Sequence, residues 1–249
     1  MEIFLKILKI TGLVLAGAAG YVVLSVIIGF LSGLFTGHKK EYKKDSKFYR
    51  FVLYSMTGLV LFLGRIKVVK KGVDLPEGRF LIVGNHRSNF DPIVTWYKFR
   101  KKNIAYISKP QNLKVPFYGA IVRRCCFLPI DRQSARNAVT TIEKAAELLK
   151  NDAVSIGVYP EGTRSKTCRL LKFHNGVFKI AQKAEVPIVV VSVSGTEKVT
   201  KNFPWRRTVV TLDVAEVIPP EVHMTMTTSE IGEHVRGLLE ERLEEEYRS

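Results

Sequence analysis

A histidine and an aspartate lie close together in the segment Asn-His-Arg-Ser-Asn-Phe-Asp-Pro, which covers residues 85–92. A carboxylate hydrogen-bonded to one imidazole nitrogen fixes the tautomer of the ring and raises the basicity of the other nitrogen. His86 and Asp91 can therefore act together to deprotonate a hydroxyl nucleophile. Taken alone the pair is a weak sign of catalysis, because Asp91 before Pro92 also suits the N-cap of a helix.

A second segment, Tyr-Pro-Glu-Gly-Thr-Arg-Ser at residues 159–165, follows a predicted buried strand. In open α/β sheets, the loops at the carboxyl ends of the strands form ligand crevices. Arg164 offers a planar fork that fits phosphate oxygens, and Gly162 lets the backbone approach a ligand closely. The alternative is an ordinary loop that contains a structural pair between Glu161 and Arg164.

A third basic site follows the strand predicted over residues 126–130, where Arg132 comes directly after Asp131. Lys109 and the segment 114–119 precede this strand in the chain. Arg132 lies just past the end of a strand, as Arg164 does, which favours an anion-binding position. The alternatives are a salt bridge between Arg132 and Asp131 or a solvated surface position.

Short apolar runs alternate with amphipathic segments from Lys67 onward, and this alternation predicts the elements that position these loops. The runs are apolar on both faces, so we expect an α/β fold with a mostly parallel or mixed central sheet covered by helices. Strands are predicted at 80–84, 104–108, 126–130, 154–159, 187–193 and 209–217. Helices are predicted from Asp91 onward and at 134–151, 176–184 and 229–247, the last opening with Ser-x-x-Gly.

The N-terminal stretch from Ile10 to Gly37 contains no charged residue and no histidine over 28 residues. A spanning helix needs about 20 residues, so this stretch predicts a helical membrane anchor. The flank at residues 39–50 is strongly basic, which predicts a cytoplasmic position for the rest of the chain. The run from Phe51 to Gly64 has 14 residues, which suits an interfacial or buried helix.

We therefore expect two regions, a membrane-anchoring part with a basic linker at residues 1–66 and an α/β domain at 67–249. A cleaved signal peptide and a helical hairpin that enters one leaflet are alternatives for the N-terminal stretch. Each basic residue near an anionic bilayer surface adds roughly 1 kcal/mol to binding, so the linker suits the headgroup level.

The charge of the chain restricts its partners. Lys and Arg total 39 against 23 Asp and Glu, giving a net charge of +16. Such a field favours phospholipid, nucleic acid or a small phosphorylated or CoA-like substrate, and charge alone does not choose among them. The three cysteines form no disulfide framework and no spacing suited to zinc, which indicates reduced thiols.

The segments described above resemble, in order and spacing, the glycerolipid acyltransferases, and within them the 1-acyl-sn-glycerol-3-phosphate acyltransferases. Residues 85–91 resemble the first sequence block of that family, and residues 117–132, ending in Ile-Asp-Arg, resemble the second. Residues 159–165 resemble the third, usually Phe-Pro-Glu-Gly-Thr-Arg-Ser, and residues 186–191 the fourth. The resemblance covers residues 65–215 and departs from the family pattern at Tyr159 and at Arg-Arg-Cys-Cys, residues 123–126.

The resemblance implies an enzyme of phospholipid biosynthesis that moves a fatty acyl group from acyl-CoA or acyl-carrier protein to lysophosphatidic acid, giving phosphatidic acid. It implies that His86 is the general base and Asp91 its orienting partner, with no metal and no cofactor beyond the acyl donor. The residues it implies for binding the acceptor's phosphate are Arg132, Glu161, Gly162, Thr163 and Arg164. Lys109 is implied as a stabiliser of the oxyanion, a role that backbone amides can also fill.

Two other functions remain open at this point. The chain could acylate a different lysophospholipid or lysolipid, because relatives with the same blocks do so. It could also be a non-catalytic, basic, membrane-tethered binding protein. Its charge favours this second alternative, but the sequence lacks the interleaved aromatic and basic residues or reader motif of a nucleic-acid-binding protein, and we expect no nucleic-acid partner.

Overall fold

A seven-stranded sheet lies at the centre of the computed structural model, which describes residues 1–35, 41–131 and 134–247. The strands are β1 (Ile66–Gly72), β2 (Leu81–Gly84), β3 (Ile104–Ser108), β4 (Leu128–Pro129), β5 (Ser155–Val158), β6 (Ile188–Ser194) and β7 (Thr208–Ile218). Their order is β1-β7-β6-β2-β5-β3-β4, and all neighbours are parallel except β6 and β7. The predicted mixed α/β sheet is therefore confirmed.

Helices connect and cover these strands. They are α1 (Glu2–Phe35), α2 (Lys47–Leu63), α3 (Phe90–Lys98), α4 (Tyr118–Arg124), α5 (Ala135–Lys150), α6 (Lys179–Ala184), α7 (Val199–Asn202), α8 (Pro220–His223) and α9 (Thr228–Glu240). Short 3₁₀ segments lie at Arg100–Lys102, Asn112–Lys114, Asn175–Phe178, Thr196–Lys198 and Glu245–Tyr247. Strands β2 and β6 are buried along almost their whole length, which explains their continuous apolar sequence.

Several predicted elements differ from the structure; the helix predicted over 176–184, for example, is a 3₁₀ segment followed by α6 from Lys179. Helix α3 begins at Phe90 with Asn89 as its N-cap, so Asp91 lies in the first turn and is not the cap. Its carboxylate instead accepts hydrogen bonds from the loop before the helix. The strand predicted over 126–130 shrinks to two residues, because the chain leaves α4 through Cys126, whose φ of +63° is incompatible with a strand.

The C-terminal helix differs as well. It begins at Thr228 and not at Ser229, and ends at Glu240 before the predicted 247. Thr227 is the N-cap and accepts a hydrogen bond from the backbone N–H of Glu230, whose carboxylate accepts one from the backbone N–H of Thr227. This reciprocal capping box supplies the acidic residue that a start at Ser229 lacks.

The N-terminal helix α1 is largely exposed. One helix of the described residues, over Glu2–Leu31, is long and apolar enough to cross a membrane, and 11% of its most apolar window is buried. The buried positions lie near its C-terminal end, at Ser25 and Gly29, where the ring of Phe30 is 6.1 Å from that of Phe117. An apolar helix that contacts the rest of the chain at one end indicates membrane association.

Helix α2 packs one face against the α/β body through Val52, Leu53 and Leu61. Its Thr57 hydroxyl accepts a hydrogen bond of 3.0 Å from the indole Nε1 of Trp96 in α3. The helix predicted over 51–64 is therefore present and begins earlier, at Lys47. The predicted boundary between residues 66 and 67 falls at the start of β1, which contacts α2.

The described part of the basic linker, residues 41–46, is bound to the body through Arg50. The buried guanidinium of Arg50 forms a fork with the Asp45 carboxylate, with N···O distances of 2.9–3.1 Å. It also donates to the backbone oxygens of Ile104 at 2.8 Å and Cys125 at 3.0 Å. This one side chain therefore fixes α2 to the end of α4 and the start of β3.

We expect Arg50→Ala to lower the free energy of unfolding by about 3–5 kcal/mol, because it leaves Asp45 and two carbonyl groups without their buried donor. Denaturant unfolding of the detergent-solubilised protein measures this. Lys43→Ala is the matched control: Lys43 pairs with Glu147 at 2.8 Å, but both side chains are exposed. Its loss should have little effect on stability because solvent screens an exposed ion pair, and equal losses for the two variants would contradict the anchoring role of Arg50.

Candidate active site

His86 and Asp91 meet in the loop that joins β2 to α3. The Nδ1 atom of His86 is 2.8 Å from Oδ2 of Asp91. The same oxygen accepts backbone hydrogen bonds of 2.7 Å from Arg87 and Ser88. The four residues between the pair thus form a tight turn around the carboxylate, and the turn brings the two side chains together as their spacing predicts.

Asp91 is fully buried, and its second oxygen is bound from another part of the sheet. The Thr196 hydroxyl, in the turn after β6, donates to Oδ1 of Asp91 at 2.5 Å. With both carboxylate oxygens held, the orientation of Asp91 is fixed from two loops. The sequence does not predict Thr196 as a site residue, because it lies 105 positions from Asp91 and the adjacency of β2 and β6 brings them together.

The imidazole of His86 also packs on an aromatic ring. The Tyr159 ring is stacked on it with centroids 4.3 Å apart and an angle of 11° between the planes. Tyr106 is stacked in turn on Tyr159 at 5.5 Å. Burial raises the pKa of both tyrosines, so their phenols stay neutral beside the dyad. The substitution of tyrosine for phenylalanine at position 159 therefore keeps the flat surface that supports the imidazole.

Glu161 lies behind the site and not in the cleft. Its Oε1 accepts a hydrogen bond of 2.6 Å from the backbone N–H of His86, and its Oε2 accepts one of 2.9 Å from Leu171. The side chain is buried, and burial raises its pKa to about 7 against the opposing effect of the two backbone donors. Glu161 is predicted to contact the phosphate, but in the structure its carboxylate supports the backbone of His86.

A cleft of about 480 Å³ opens beside His86. Gly162, Thr163, Arg164 and Lys109 line it together with His86. Gly162 has a φ of +70°, which glycine adopts without strain in this tight turn. Arg132 lies outside the described residues. Three of the predicted phosphate-binding residues and Lys109, the predicted oxyanion stabiliser, are therefore grouped with His86 around one cleft, whereas Glu161 is not among the residues that line it.

The remaining wall of the cleft is mostly apolar. Five of its residues are Pro92, Ile93 and Trp96 of α3, Tyr118 of α4 and Phe127. Lys109 and Arg164 line the same cleft, which therefore combines apolar side chains with two cationic groups. Such a site suits a ligand that carries both an anionic group and a hydrocarbon chain.

Arg87 supports the same loop from the side away from the cleft. Its guanidinium is buried and donates to Glu244 at 2.8 Å, and it lies 5.2 Å above the ring of Tyr247. Arg87 is not predictable from the sequence, because nothing in the spacing connects it with a residue 157 positions away. The C-terminal segment is thus packed against the loop that carries the dyad.

Comparison with known proteins identifies the family. The family model described as acyltransferase matches residues 65–194, which is more than half of the chain. The chain belongs to the acyltransferase family. This membership confirms the expected enzyme class, and the matched region contains His86, Asp91 and the loop of Arg164. The match begins one residue before β1 and ends with the last residue of β6.

Individual relatives agree with this family. The 1-acyl-sn-glycerol-3-phosphate acyltransferase of Salmonella typhimurium is 33% identical over 68% of this chain and 68% of its own length. The protein of the same name from Saccharomyces cerevisiae is 29% identical over 94% of this chain and 75% of its own. The crystal structure of the 1-acyl-sn-glycerophosphate (LPA) acyltransferase from Thermotoga maritima has 25% identity and a TM-score of 0.61, covering 79% of this chain and 82% of that one.

The pKa of Glu161 gives a prediction for stability. Its folded-state pKa of about 7 exceeds the ordinary value of 4.5, so the folded protein holds this proton more tightly than the unfolded chain. The resulting stabilisation is complete below pH 4.5 and is lost as the pH rises through about 7. Relative to Glu161→Gln, the free energy of unfolding should therefore fall by on the order of 3 kcal/mol across this window.

Denaturant unfolding of both proteins at several pH values measures that difference. Glu77→Gln is the control, because the Glu77 carboxylate is fully exposed. This substitution should leave the pH dependence of the free energy of unfolding the same as in the unchanged chain. Parallel stability curves for the unchanged chain and Glu161→Gln would contradict the raised pKa of Glu161.

Proposed function

We propose that this acyltransferase transfers a fatty acyl group from a thioester donor to the sn-2 hydroxyl of 1-acyl-glycerol-3-phosphate, which gives phosphatidic acid. The observation that carries the proposal is the His86–Asp91 pair at one cleft with Lys109 and Arg164. A lysophosphatidic acid has the hydroxyl, the phosphate and the acyl chain that such a cleft suits. The names of the relatives support the same acceptor.

In this mechanism Asp91 holds Nδ1 of His86, so Nε2 is the nitrogen that accepts the proton. The acceptor oxygen attacks the thioester carbon as its proton passes to Nε2, and a tetrahedral intermediate forms. The carbon–sulfur bond then breaks, and the leaving thiolate takes the proton from the imidazolium. Asp91 stabilises the transient positive charge of His86, and Lys109 stabilises the oxyanion.

The acceptor's phosphate binds in this proposal to Arg164, with Gly162 and Thr163 of the same loop and with Arg132. Glu161 takes a positioning role, because its carboxylate fixes the backbone of His86. Gly162 has no Cβ, so a phosphate oxygen can approach the backbone of the loop.

The donor is acyl-CoA or acyl-carrier protein, and the reaction uses no metal and no further cofactor. Every proton in the mechanism moves between the acceptor hydroxyl, His86 and the leaving thiol. The excess of basic residues over 39–50 supports a cytoplasmic position of the catalytic body under the positive-inside rule. The product then forms at the cytoplasmic surface.

A panel of acceptors tests the function. Purified protein with an acyl-CoA or acyl-carrier-protein donor should acylate lysophosphatidic acid, and His86→Ala should lower this rate by about 10²- to 10⁴-fold by removing the general base. His234→Ala is the control, because His234 pairs with Glu216 on the surface and should retain activity. Turnover of lysophosphatidylcholine without turnover of lysophosphatidic acid would overturn the acceptor, and a fully active His86→Ala would overturn the mechanism.

Arg164→Ala tests the phosphate contact. Loss of a charge-assisted hydrogen bond should raise the acceptor KM by about 10-fold or more while the donor KM changes little. Lys166→Ala is the matched control, since Lys166 is an exposed cation two residues away that does not line the cleft. Equal effects of Arg164→Ala on both substrates would count against phosphate binding by Arg164.

A further inference from the structure

The loop between α7 and β7 presents aromatic and basic side chains to solvent. Residues 203–207 read Phe-Pro-Trp-Arg-Arg, and all five are exposed; we call them the aromatic-basic loop. Trp205 is 85% exposed and Phe203 is 54% exposed. None of the five lines the cleft beside His86, so the proposed acyl transfer does not explain why they are exposed together. Large exposed apolar side chains grouped with charges mark an interaction surface.

The backbone of this loop is held in place although its side chains are exposed. The backbone N–H of Arg206 donates to Asn202 O at 2.7 Å, and the Asn202 amide donates to the Thr208 hydroxyl at 3.0 Å. Arg65 Nη1 donates to the backbone oxygen of Trp205 at 3.1 Å. The fold therefore presents the indole outward, and binding there requires little ordering of the chain.

The aromatic-basic loop continues the exposed apolar face of α2. Arg65, which binds the Trp205 carbonyl, lies two residues after the end of this helix and donates its own backbone N–H to Phe62 O at 3.0 Å. At this end of α2, Phe62 is 78% exposed and Leu63 is 59% exposed. The two apolar surfaces thus meet at Arg65 and can contact one bilayer together.

The charge around the loop favours an anionic bilayer. The stretch from 198 to 212 contains Lys198, Lys201, Arg206 and Arg207 and no acidic residue. Tryptophan and arginine together suit the membrane interface, where the ring lies at headgroup level and the guanidinium binds lipid phosphate. The loop adjoins the exposed apolar face of α2, which a bilayer can cover together with the loop. A protein partner that bound the loop alone would not require this arrangement.

We propose that the aromatic-basic loop is a second membrane contact, in which Trp205 enters the headgroup region of an anionic phospholipid bilayer while Arg206 and Arg207 bind lipid phosphates. The contact would hold the α/β body against the surface at the end of α2, at a position distant in sequence from α1. The inference rests on the proposed function only in that the chain acts at a membrane.

The tryptophan content of the chain makes a direct test possible. The sequence contains two tryptophans, and Trp96 is buried in the core. Full-length protein in liposomes with 30 mol% phosphatidylglycerol is compared with Trp205→Phe, whose emission comes from Trp96 alone. We expect brominated lipid to quench the Trp205 emission at least twofold more than the Trp96 emission. Quenching of Trp205 by aqueous iodide but not by brominated lipid would overturn the proposal and leave this surface to a protein partner.

Charge variants test the part played by the arginines. Arg206→Ala with Arg207→Ala should reduce the quenching of Trp205 by brominated lipid at least twofold in anionic liposomes. Lys179→Ala with Lys183→Ala is the control, because these exposed residues lie on α6. The chain crosses from β2 through α3 to β3 in one direction along the sheet and from β5 through α6 to β6 in the other. Right-handed crossovers then place α6 on the face opposite α3, and α3 contacts α2, whose exposed face borders the loop. Equal quenching in the two double variants would overturn the role of Arg206 and Arg207.

An activity measurement separates this inference from the proposed function. With lysophosphatidic acid dispersed in detergent, the variants of the aromatic-basic loop should match the unchanged chain. With the acceptor in anionic liposomes, they should lose at least threefold in rate. A chain that turns over no acceptor in either form would refute the proposed function, whereas the Trp205 quenching would still decide the membrane contact.

Discussion

The structure around the cleft depends on one buried carboxylate. Asp91 has no access to solvent, so its two oxygens must find hydrogen-bond donors within the protein. Oδ2 accepts from the backbone of Arg87 and Ser88 and lies against Nδ1 of His86, and Oδ1 accepts from Thr196. The loops that follow two neighbouring parallel strands, β2 and β6, are thereby fixed to each other, and the position of the imidazole follows from that constraint.

A second buried carboxylate extends the constraint to the loop after β5. Glu161 accepts from the backbone N–H of His86, while the backbone N–H of Ser165 donates to His86 O at 2.8 Å. The histidine is thus held through its side chain by Asp91 and through its backbone by the loop that carries Arg164. The backbone positions of the base and of Arg164 are therefore held relative to each other, which is a form of the preorganisation that a reaction between bound groups requires.

The sequence contains enough information for the sheet and the chemistry of the dyad but not for the long-range contacts. Short, mainly apolar runs predict β2, β5 and β6, because a strand buried on both faces is mostly apolar. Thr196 and Arg87 escape prediction, since their partners are distant in sequence and depend on strand order. Strand β1 escapes for a different reason: it reads Ile-Lys-Val-Val-Lys-Lys-Gly, has no apolar run longer than two residues and lies at the edge of the sheet.

The N-terminal helices contribute to the cleft as well as to membrane association. Thr57 of α2 accepts from the indole of Trp96, which lines the apolar wall, and Phe30 of α1 packs near Phe117, the residue before Tyr118 of the same wall. A displacement of either helix would therefore move a residue of the cleft or remove its packing partner. These same helices carry most of the exposed apolar side chains of the described residues, so the elements that suit membrane association also support the wall of the cleft.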